Sequence, residues 1–376
     1  MTIRLCFILV LASAAHLLPG QMPHRHAFDR AIYFPDVPGY KTLKCDFHQH
    51  TVFSDGSVWP DIRVEEALRD SLDAIALTEH LEYQPHRADI PHPDRNRSFE
   101  LAEQRARPYE NLIVVHGSEI TRRMPPGHSN AIFIEDANKL LIADSVEVFR
   151  EAKRQGAFVF WNHPNWVAHR KDGVATMTDL HRYLIAEGLL DGIEVVNDLT
   201  YSDEALQIAL DYNLTIMGTS DIHGLVDWQY NIPQGGHRPI TLVFATEKTP
   251  AAIREALFER RTVAYFNHTL IGREAYLRPL MEASLQVRQA RYQGITSIAE
   301  VVIENVSDAT YVLANDSPYS FHSNTNVLLI KPYSSITLEV KTLEQLSEFT
   351  LPFTVLSAVI APKKHPQINL HITVEP

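Results

Sequence analysis

The chain has 376 residues, enough for two domains rather than one. Apolar residues make up 45% and charged residues 21%, a globular balance that excludes a largely disordered chain. The formal net charge of −12 excludes the broad basic face of a nucleic-acid binder, so no nucleic-acid partner is expected.

The N-terminus reads as a secretory signal peptide over residues 1–21. A weakly positive start ends at Arg4, an apolar run fills residues 5–12, and Ser13, Ala14 and Ala15 precede a cleavage region near Gly20 or Gln21. That run is too short to span a bilayer comfortably, and no later stretch is apolar enough to do so. The expectation is an exported protein, periplasmic or secreted, with no membrane span once the leader is removed. Cys6 leaves with the leader, so Cys45 remains as a lone thiol without a disulfide partner.

Short apolar runs then alternate with amphipathic segments. The runs at 43–47, 74–77, 112–115, 131–134, 158–161, 192–196, 214–217 and 240–244 look like strands buried on both faces, as in a parallel sheet. Helices are predicted at 61–71, 98–107, 145–155, 177–187, 202–212 and 249–259. The last opens with Thr249-Pro250, an N-cap followed by proline at the first helical position. Seven or eight βα units predict an α/β fold, a distorted TIM-like barrel. Beyond residue 277 the pattern changes to strands at 284–288, 299–304, 327–330, 335–341, 353–358 and 368–373, with at most one helix near 343–347. This predicts a small β-sandwich. The expected domains are the leader 1–21, the barrel 22–276 and the sandwich 277–376.

Catalytic groups of such barrels sit at the C-terminal ends of strands. The first strand runs into His48-Gln49-His50, then Ser54-Asp55-Gly56. Residues two apart share a face of a strand, so both histidines can reach one metal. A lone His-x-His pair is weak evidence, since His24 and His26 form another with no assignable role. The remaining strand ends add Thr78-Glu79-His80, Glu119, His128, His163-Pro164 and Asp221-Ile222-His223. These are the residue types that bind Zn, Mn or Fe. A structural explanation is easy for one such histidine and poor for all of them together.

In that order, these motifs resemble the PHP (polymerase and histidinol phosphatase) superfamily over residues 41–266. The resemblance implies a distorted (β/α)7 barrel holding two or three divalent ions. It places His48, His50, Glu119 and Asp221 on a first metal and Glu119, His128 and His163 on a second. Asp55, His80 and His223 fall on a third. Glu119, Asp221 and His223 are also the candidate catalytic residues. Relatives often carry Asp where this chain has Glu79; strand alternation turns Glu79 away from the metals, so a structural role is expected.

Three divalent ions bring six positive charges and Asp55, Glu119 and Asp221 remove three, which suits a phosphoryl group. The expected reaction is hydrolysis of a small phosphorylated molecule, monoester or diester, by in-line attack of a hydroxide held between metals. Arg122, Arg123 and His86 are candidate phosphate contacts, and His169 with Trp166 a candidate pocket wall. Residues 92–97 are a candidate lid, and Asn162 and Asn197 candidate supports for ligands. Three other readings compete: an amidohydrolase-like hydrolase of a carbon-based substrate, a PHP-type nuclease, and a non-catalytic metal-binding envelope module. The sandwich carries no interpretable motif, and a packing role is expected for it. The oligomeric state is not encoded in any recognisable pattern.

Overall fold

The computed structural model describes residues 30–375. The leader with Cys6, and the His24/His26 pair, lie outside the described residues. Each predicted apolar run falls on a strand. In chain order the first part contains β1 (Lys41–Asp46), α1 (Pro60–Arg69), β2 (Ala74–Leu77), α2 (Arg97–Ala106), β3 (Ile113–Ile120) and β4 (Ser129–Ile132). Next come α3 (Glu147–Arg154), β5 (Phe158–Trp161), α4 (Asp179–Ala186), β6 (Gly192–Asn197), β7 (Thr200–Tyr201), α5 (Asp203–Asp211) and β8 (Thr215–Thr219). The series ends with α6 (Val226–Gln229), β9 (Ile240–Ala245), α7 (Pro250–Phe258), β10 (Thr262–Phe266), β11 (Thr269–Gly272) and α8 (Glu274–Ser284).

Helices α4, α5 and α7 start where short polar side chains satisfy free amides of their first turns. The Thr249 hydroxyl accepts from Ala252 N at 3.2 Å, and that of Ser202 from Ala205 N at 3.1 Å. β2, β4, β5, β6, β8 and β9 are buried on both faces.

That burial predicted a parallel sheet, but the sheet is mixed. β1, β2 and β3 pair in parallel, as do β5, β6 and β8. β4 is antiparallel to both β3 and β5, and β9 is antiparallel to both β1 and β10. The physical reason at β4 is length: residues 121–128 are too few for a helical crossover, so the chain returns as a hairpin. The barrel closes without a ladder between β8 and β9. Instead Thr241 Oγ1 accepts from Gly218 N (3.0 Å) and donates to Gly218 O (2.8 Å), and Thr262 Oγ1 donates to Ile216 O (2.8 Å). A Cβ on Gly218 would stand 2.7 Å from that of Ala264, so only glycine allows this approach.

The C-terminal part contains β12 (Leu285–Tyr292), β13 (Ile298–Asn305), β14 (Tyr311–Asn315), β15 (Val327–Ile330), β16 (Ser334–Lys341), β17 (Glu348–Val355), β18 (Ala358–Val359) and β19 (Gln367–Thr373). β12, β13 and β16 form one sheet, and β15, β14, β17 and β19 the other. The exclusively strand-like pattern begins at Leu285 rather than 277, because Glu274–Ser284 is helical despite Pro279. Residues 343–347, a possible helix, form a non-helical connection between β16 and β17.

The sandwich is tied to the barrel by hydrogen bonds and by core. β18 pairs in parallel with β11, extending the barrel sheet. One apolar cluster runs through Phe244, Tyr265, Leu277 and Met281 into Val301, Leu313, Val340 and Phe353. Among the described residues, no helix is long and apolar enough to cross a membrane.

Candidate metal centre

The nine proposed ligands come from six separate chain segments, eight at or just after the C-terminal ends of barrel strands and His128 just before antiparallel β4. His48 and His50 extend β1, and the Gln49 between them bridges to Ile222 beyond β8. His80 follows β2 and bridges to Glu119 near the end of β3. Gly56 permits the Ser54-Asp55-Gly56 turn to fold back, since a Cβ there would lie 2.6–2.7 Å from the backbone of His50 and Thr51. Two ligands lie in the left-handed region of backbone space, His163 at φ 29° and Asp221 at φ 50°. Such strain collects where surrounding structure over-determines a functional side chain.

The side chains converge. His48 Nε2 and His50 Nε2 each lie 3.1 Å from Asp221 Oδ1, and 3.7 and 3.5 Å from the Glu119 oxygens. Glu119 Oε1 is 3.0 Å from His128 Nδ1 and 3.4 Å from His163 Nε2. Asp55 faces His223 Nε2 at 3.1 Å and His80 Nε2 at 3.4 Å. His80 Nδ1 turns to the other Glu119 oxygen at 2.6 Å. Three groupings could each hold an ion: His48/His50/Glu119, His80/Glu119/His128, and His50/Asp55/His80/His223. His163 stands against Glu119 just outside the second grouping, while His50 joins the third.

The comparisons bear on this arrangement. A solved two-domain protein from Bacteroides vulgatus, containing a predicted PHP-like metal-dependent phosphoesterase, is 43% identical to this chain. The match covers 91% of this chain and 98% of that one, with a TM-score of 0.84. The chain belongs to the PHP-like metal-dependent phosphoesterases. A putative metal-dependent phosphoesterase from Bifidobacterium adolescentis overlaps more loosely, at 18% identity over 50% of this chain and 90% of that one, TM-score 0.39. An amidohydrolase from Chromobacterium violaceum overlaps at 16% identity over 48% and 87%, TM-score 0.35. A family model described as an Ig-like domain matches residues 285–371, the β-sandwich. A search of curated proteins gives no match.

In this PHP-like chain the donor set fits divalent metals on its own physical grounds. Asp55 Oδ1, Glu119 Oε2, His128 Nδ1, His163 Nδ1 and Asp221 Oδ1 are buried and make no well-aligned hydrogen bond, and all but His163 Nδ1 meet only other members of the cluster at 2.6–3.1 Å. Buried polar atoms are rarely left so, and a cation is the natural partner for grouped carboxylate and imidazole atoms. Electrostatics agree. Burial opposes charge on all three carboxylates, yet the surrounding imidazoles hold Glu119, Asp221 and Asp55 well below the usual carboxylate range. Burial likewise opposes charge on His48, but Asp221, Glu194 and Glu119 outweigh it and raise its pKa well above normal. For His80, Glu119 and Asp55 outweigh burial and push it up to about 11. His50 is pushed down to about 3 by burial and by His223 and His80. Without a metal the negative charge is shared with protonated imidazoles, whose protons divalent ions bound here would displace.

Three of the supports around the ligands match the sequence expectation. Asn162 donates to Glu119 Oε1 at 2.9 Å, and Asn197 to Asp221 Oδ2 at 3.3 Å. Glu79 faces away from the metals, accepting from Thr51 N (3.1 Å), Thr51 Oγ1 (2.5 Å) and Ser54 Oγ (2.5 Å), so it pins the loop that carries Asp55. Glu194 is a support that sequence reasoning missed. It is buried behind His48 and accepts from His48 Nδ1 (2.7 Å), Thr219 Oγ1 (2.6 Å), His163 N (2.6 Å) and Asn197 Nδ2 (2.8 Å). The available signal was a carboxylate inside the apolar run 192–196, since a charge in a doubly buried strand needs partners.

The expected substrate contacts are placed unequally. Arg122 pairs with Glu82 and donates to Ile142 O at 2.5 Å. His86 lies in a short 3-10 turn and Arg123 is exposed, and neither contacts the nine. His169 packs on His128 with ring centroids 4.8 Å apart, and Trp166 on His163 at 5.2 Å. Tyr83, half-exposed, stands edge-on to His80 at 5.8 Å. In the candidate lid, Arg95 donates to Leu81 O at 3.0 Å and Asn96 to Asp136 at 3.0 Å. Cys45 is buried in the core, as expected for a packing residue.

Proposed function

We propose that this PHP-like protein hydrolyses a small phosphorylated molecule, monoester or diester, using two or three divalent ions of Zn, Mn or Fe. The observation that carries the reading is that buried atoms of Asp55, Glu119, His128 and Asp221 converge at one end of the barrel with no well-aligned hydrogen bond, only contacts with one another and with neighbouring imidazoles. In this reading the first ion takes His48, His50, Glu119 and Asp221. The second takes Glu119, His128 and His163, and the third Asp55, His80 and His223. Glu119, Asp221 and His223 are the proposed catalytic residues.

The bound ions supply a water that is nucleophilic near neutral pH and Lewis-acid stabilisation of phosphoryl oxygens. The chain's own groups orient that chemistry. The Glu194 carboxylate can only accept, so it keeps a proton on His48 Nδ1 and leaves Nε2 free to face the cluster. Asn162 holds Glu119 against His128 and His163. In this reading Trp166, Tyr83 and His169, packed on His163, His80 and His128, line the side taken by the substrate's alcohol portion, and exposed Arg123 is a proposed phosphate contact. We place the mature protein outside the cytoplasm on the strength of its leader-like first 21 residues.

The test is metal content and phosphate release measured together on wild type, Asp221→Ala and His48→Ala, with Mn or Zn added, over a panel of phosphomonoesters and diesters. Two or three metals per chain, with activity lost in both variants, is the expected result. Metals without activity on any phosphate ester would redirect the reading to amides and lactones, and fewer than two metals after reconstitution would overturn it.

A further inference from the structure

One buried cation has no part in the site as described so far. Arg63, on α1, is fully buried and touches none of the nine side chains. Its guanidinium is spent on backbone. Nε donates to His50 O at 3.0 Å, one terminal nitrogen to Gly224 O at 2.8 Å, and the other to Ile222 O at 3.1 Å. The first terminal nitrogen also pairs with Glu66 at 2.7 Å. The other Glu66 oxygen accepts from Val226 N at 2.9 Å. A buried guanidinium is tolerated when its donors are used, and the planar fork here reaches three carbonyls at once.

Those carbonyls are not scattered. They belong to His50 itself and to the residues flanking His223, so one side chain joins the segment after β1 to the segment after β8. Two backbone bonds reinforce the same seam: His50 N donates to Ile222 O (3.0 Å), and Ser57 N to His223 O (2.8 Å). Across the seam the His50 and His223 rings stack with centroids 4.2 Å apart, and Asp55 reaches His223 Nε2 at 3.1 Å. The Glu119, His128 and His163 side of the centre is held by different groups, Asn162 and Glu194.

We infer that Arg63, with Glu66, is a positioning residue that sets the metal affinity of the Asp55/His80/His223 cluster separately from the rest of the centre. The inference rests on the three-ion form of the proposed function. Lysine at this position keeps a positive charge beside Glu66, yet it lacks the planar fork that holds three carbonyls. The loops carrying Asp55 and His223 then lose their common brace, while Glu119 and His163 keep their bonds to Asn162 and Glu194 and His50 keeps its backbone bond to Ile222.

The experiment uses the full chain as wild type, Arg63→Lys, Glu66→Gln and Asp55→Ala. Each is dialysed against buffered Mn²⁺, bound metal is counted, and thermal melting is followed in chelator. Wild type is expected to hold three ions. Arg63→Lys is expected to hold two where wild type is saturated, its third ion binding about 10–100-fold more weakly, the range typical of lost ligand support. Asp55→Ala should show the same selective loss, and cooperative melting of Arg63→Lys in chelator shows that its fold is intact. Retention of three ions at wild-type affinity, or loss of all three from a folded variant, overturns the inference. If Arg63→Lys does not melt cooperatively, Glu66→Gln decides: a weakened third ion supports the inference, and an unchanged one overturns it. A wild type that never exceeds two ions overturns the three-ion reading itself and this inference with it, and only the wild-type measurement reports that failure.

Discussion

Replacing Glu194 by Gln exchanges one oxygen for an NH₂ group and should weaken metal binding sharply. The carboxylate accepts four hydrogen bonds, from His48 Nδ1 and Thr219 Oγ1 on one oxygen and from His163 N and Asn197 Nδ2 on the other. An amide offers one oxygen and one NH₂ group. The His163 amide is backbone and can only donate, so the new carbonyl oxygen must stay on that edge. The NH₂ group therefore faces His48 and Thr219. The Thr219 hydroxyl can turn and accept, but His48 must accept at Nδ1 and carry its proton on Nε2. Nε2 is the atom 3.1 Å from both His50 Nε2 and Asp221 Oδ1, the atom proposed to ligate. Loss of such a support costs about 10–100-fold in metal affinity, or roughly 1.4–2.8 kcal/mol. Competition with a chelator of known affinity measures it, and Glu194→Asp, which keeps the carboxylate, should lose less. A Glu194→Gln protein that binds metal within about twofold of wild type would refute the tautomer argument.

Four further outcomes follow from the same structure. Gly56→Ala should destabilise by about 1–3 kcal/mol and cost metal in the Asp55 cluster, because its Cβ would meet the His50 and Thr51 backbone at 2.6–2.7 Å; denaturant unfolding with metal counting checks both. Ending the chain near residue 277 should give insoluble protein, since it opens the shared core at Phe244, Tyr265 and Leu277 and strips β18 from β11; a soluble, active truncation would refute the packing role of the sandwich. Burial pushes His116 down to about 4, so between about pH 6.5 and pH 4 the unfolded chain takes up a proton that the folded chain does not. His116 therefore contributes stability above pH 6.5 that is lost as pH falls towards 4. The melting-temperature gap between wild type and His116→Leu should narrow as pH falls through that window, and a constant gap would count against the depressed imidazole. Arg122→Ala should lower thermal stability and change KM by less than about threefold, because the guanidinium is held by Glu82 and Ile142 O; a larger rise in KM would show that it leaves those partners for substrate.

The donor set was legible in the sequence because metal chemistry restricts residue type, and because strand ends place those residues at one face of a barrel. The supports were less legible. A hydrogen-bonding partner such as Asn162 sits beside a ligand in sequence and shows itself, whereas Glu194 and Arg63 act across 146 and 13 residues respectively. Nothing local in an arginine on the buried face of α1 distinguishes a brace from an ordinary ion pair with Glu66. Strand direction failed for a related reason. Burial on both faces reports depth and not polarity, so β4 and β9 looked parallel. The eight-residue connection before β4 was the stronger clue. The β10–β11 hairpin escaped because its turn, Asn267-His268 at φ 47° and 58°, uses left-handed residues without the glycine that usually advertises one. Helix α8 escaped because Pro279 reads as a breaker.

Glu194 also alters the charge argument made from the sequence. Counting only Asp55, Glu119 and Asp221, two divalent ions leave one positive charge and three leave three. Glu194 adds a fourth buried carboxylate in direct contact with His48, hydrogen-bonded only by groups that are neutral once metal is bound. Two ions then leave the centre neutral, with no field to draw a phosphate from water into a buried site. Three ions leave two positive charges, the complement of a phosphate dianion. Asp46, also buried, does not disturb the balance, because Arg238 pairs with it at 3.2 Å, whereas Glu79, buried with only Thr51 and Ser54 as donors, lowers each total by one wherever it is ionised. With Glu79 neutral or ionised, only three ions leave net positive charge, so within the proposed function the buried carboxylates support the three-ion form and an anionic phosphate ester. Phosphomonoester turnover that rises only as the third ion binds, while the first two are already in place, is the behaviour this balance requires.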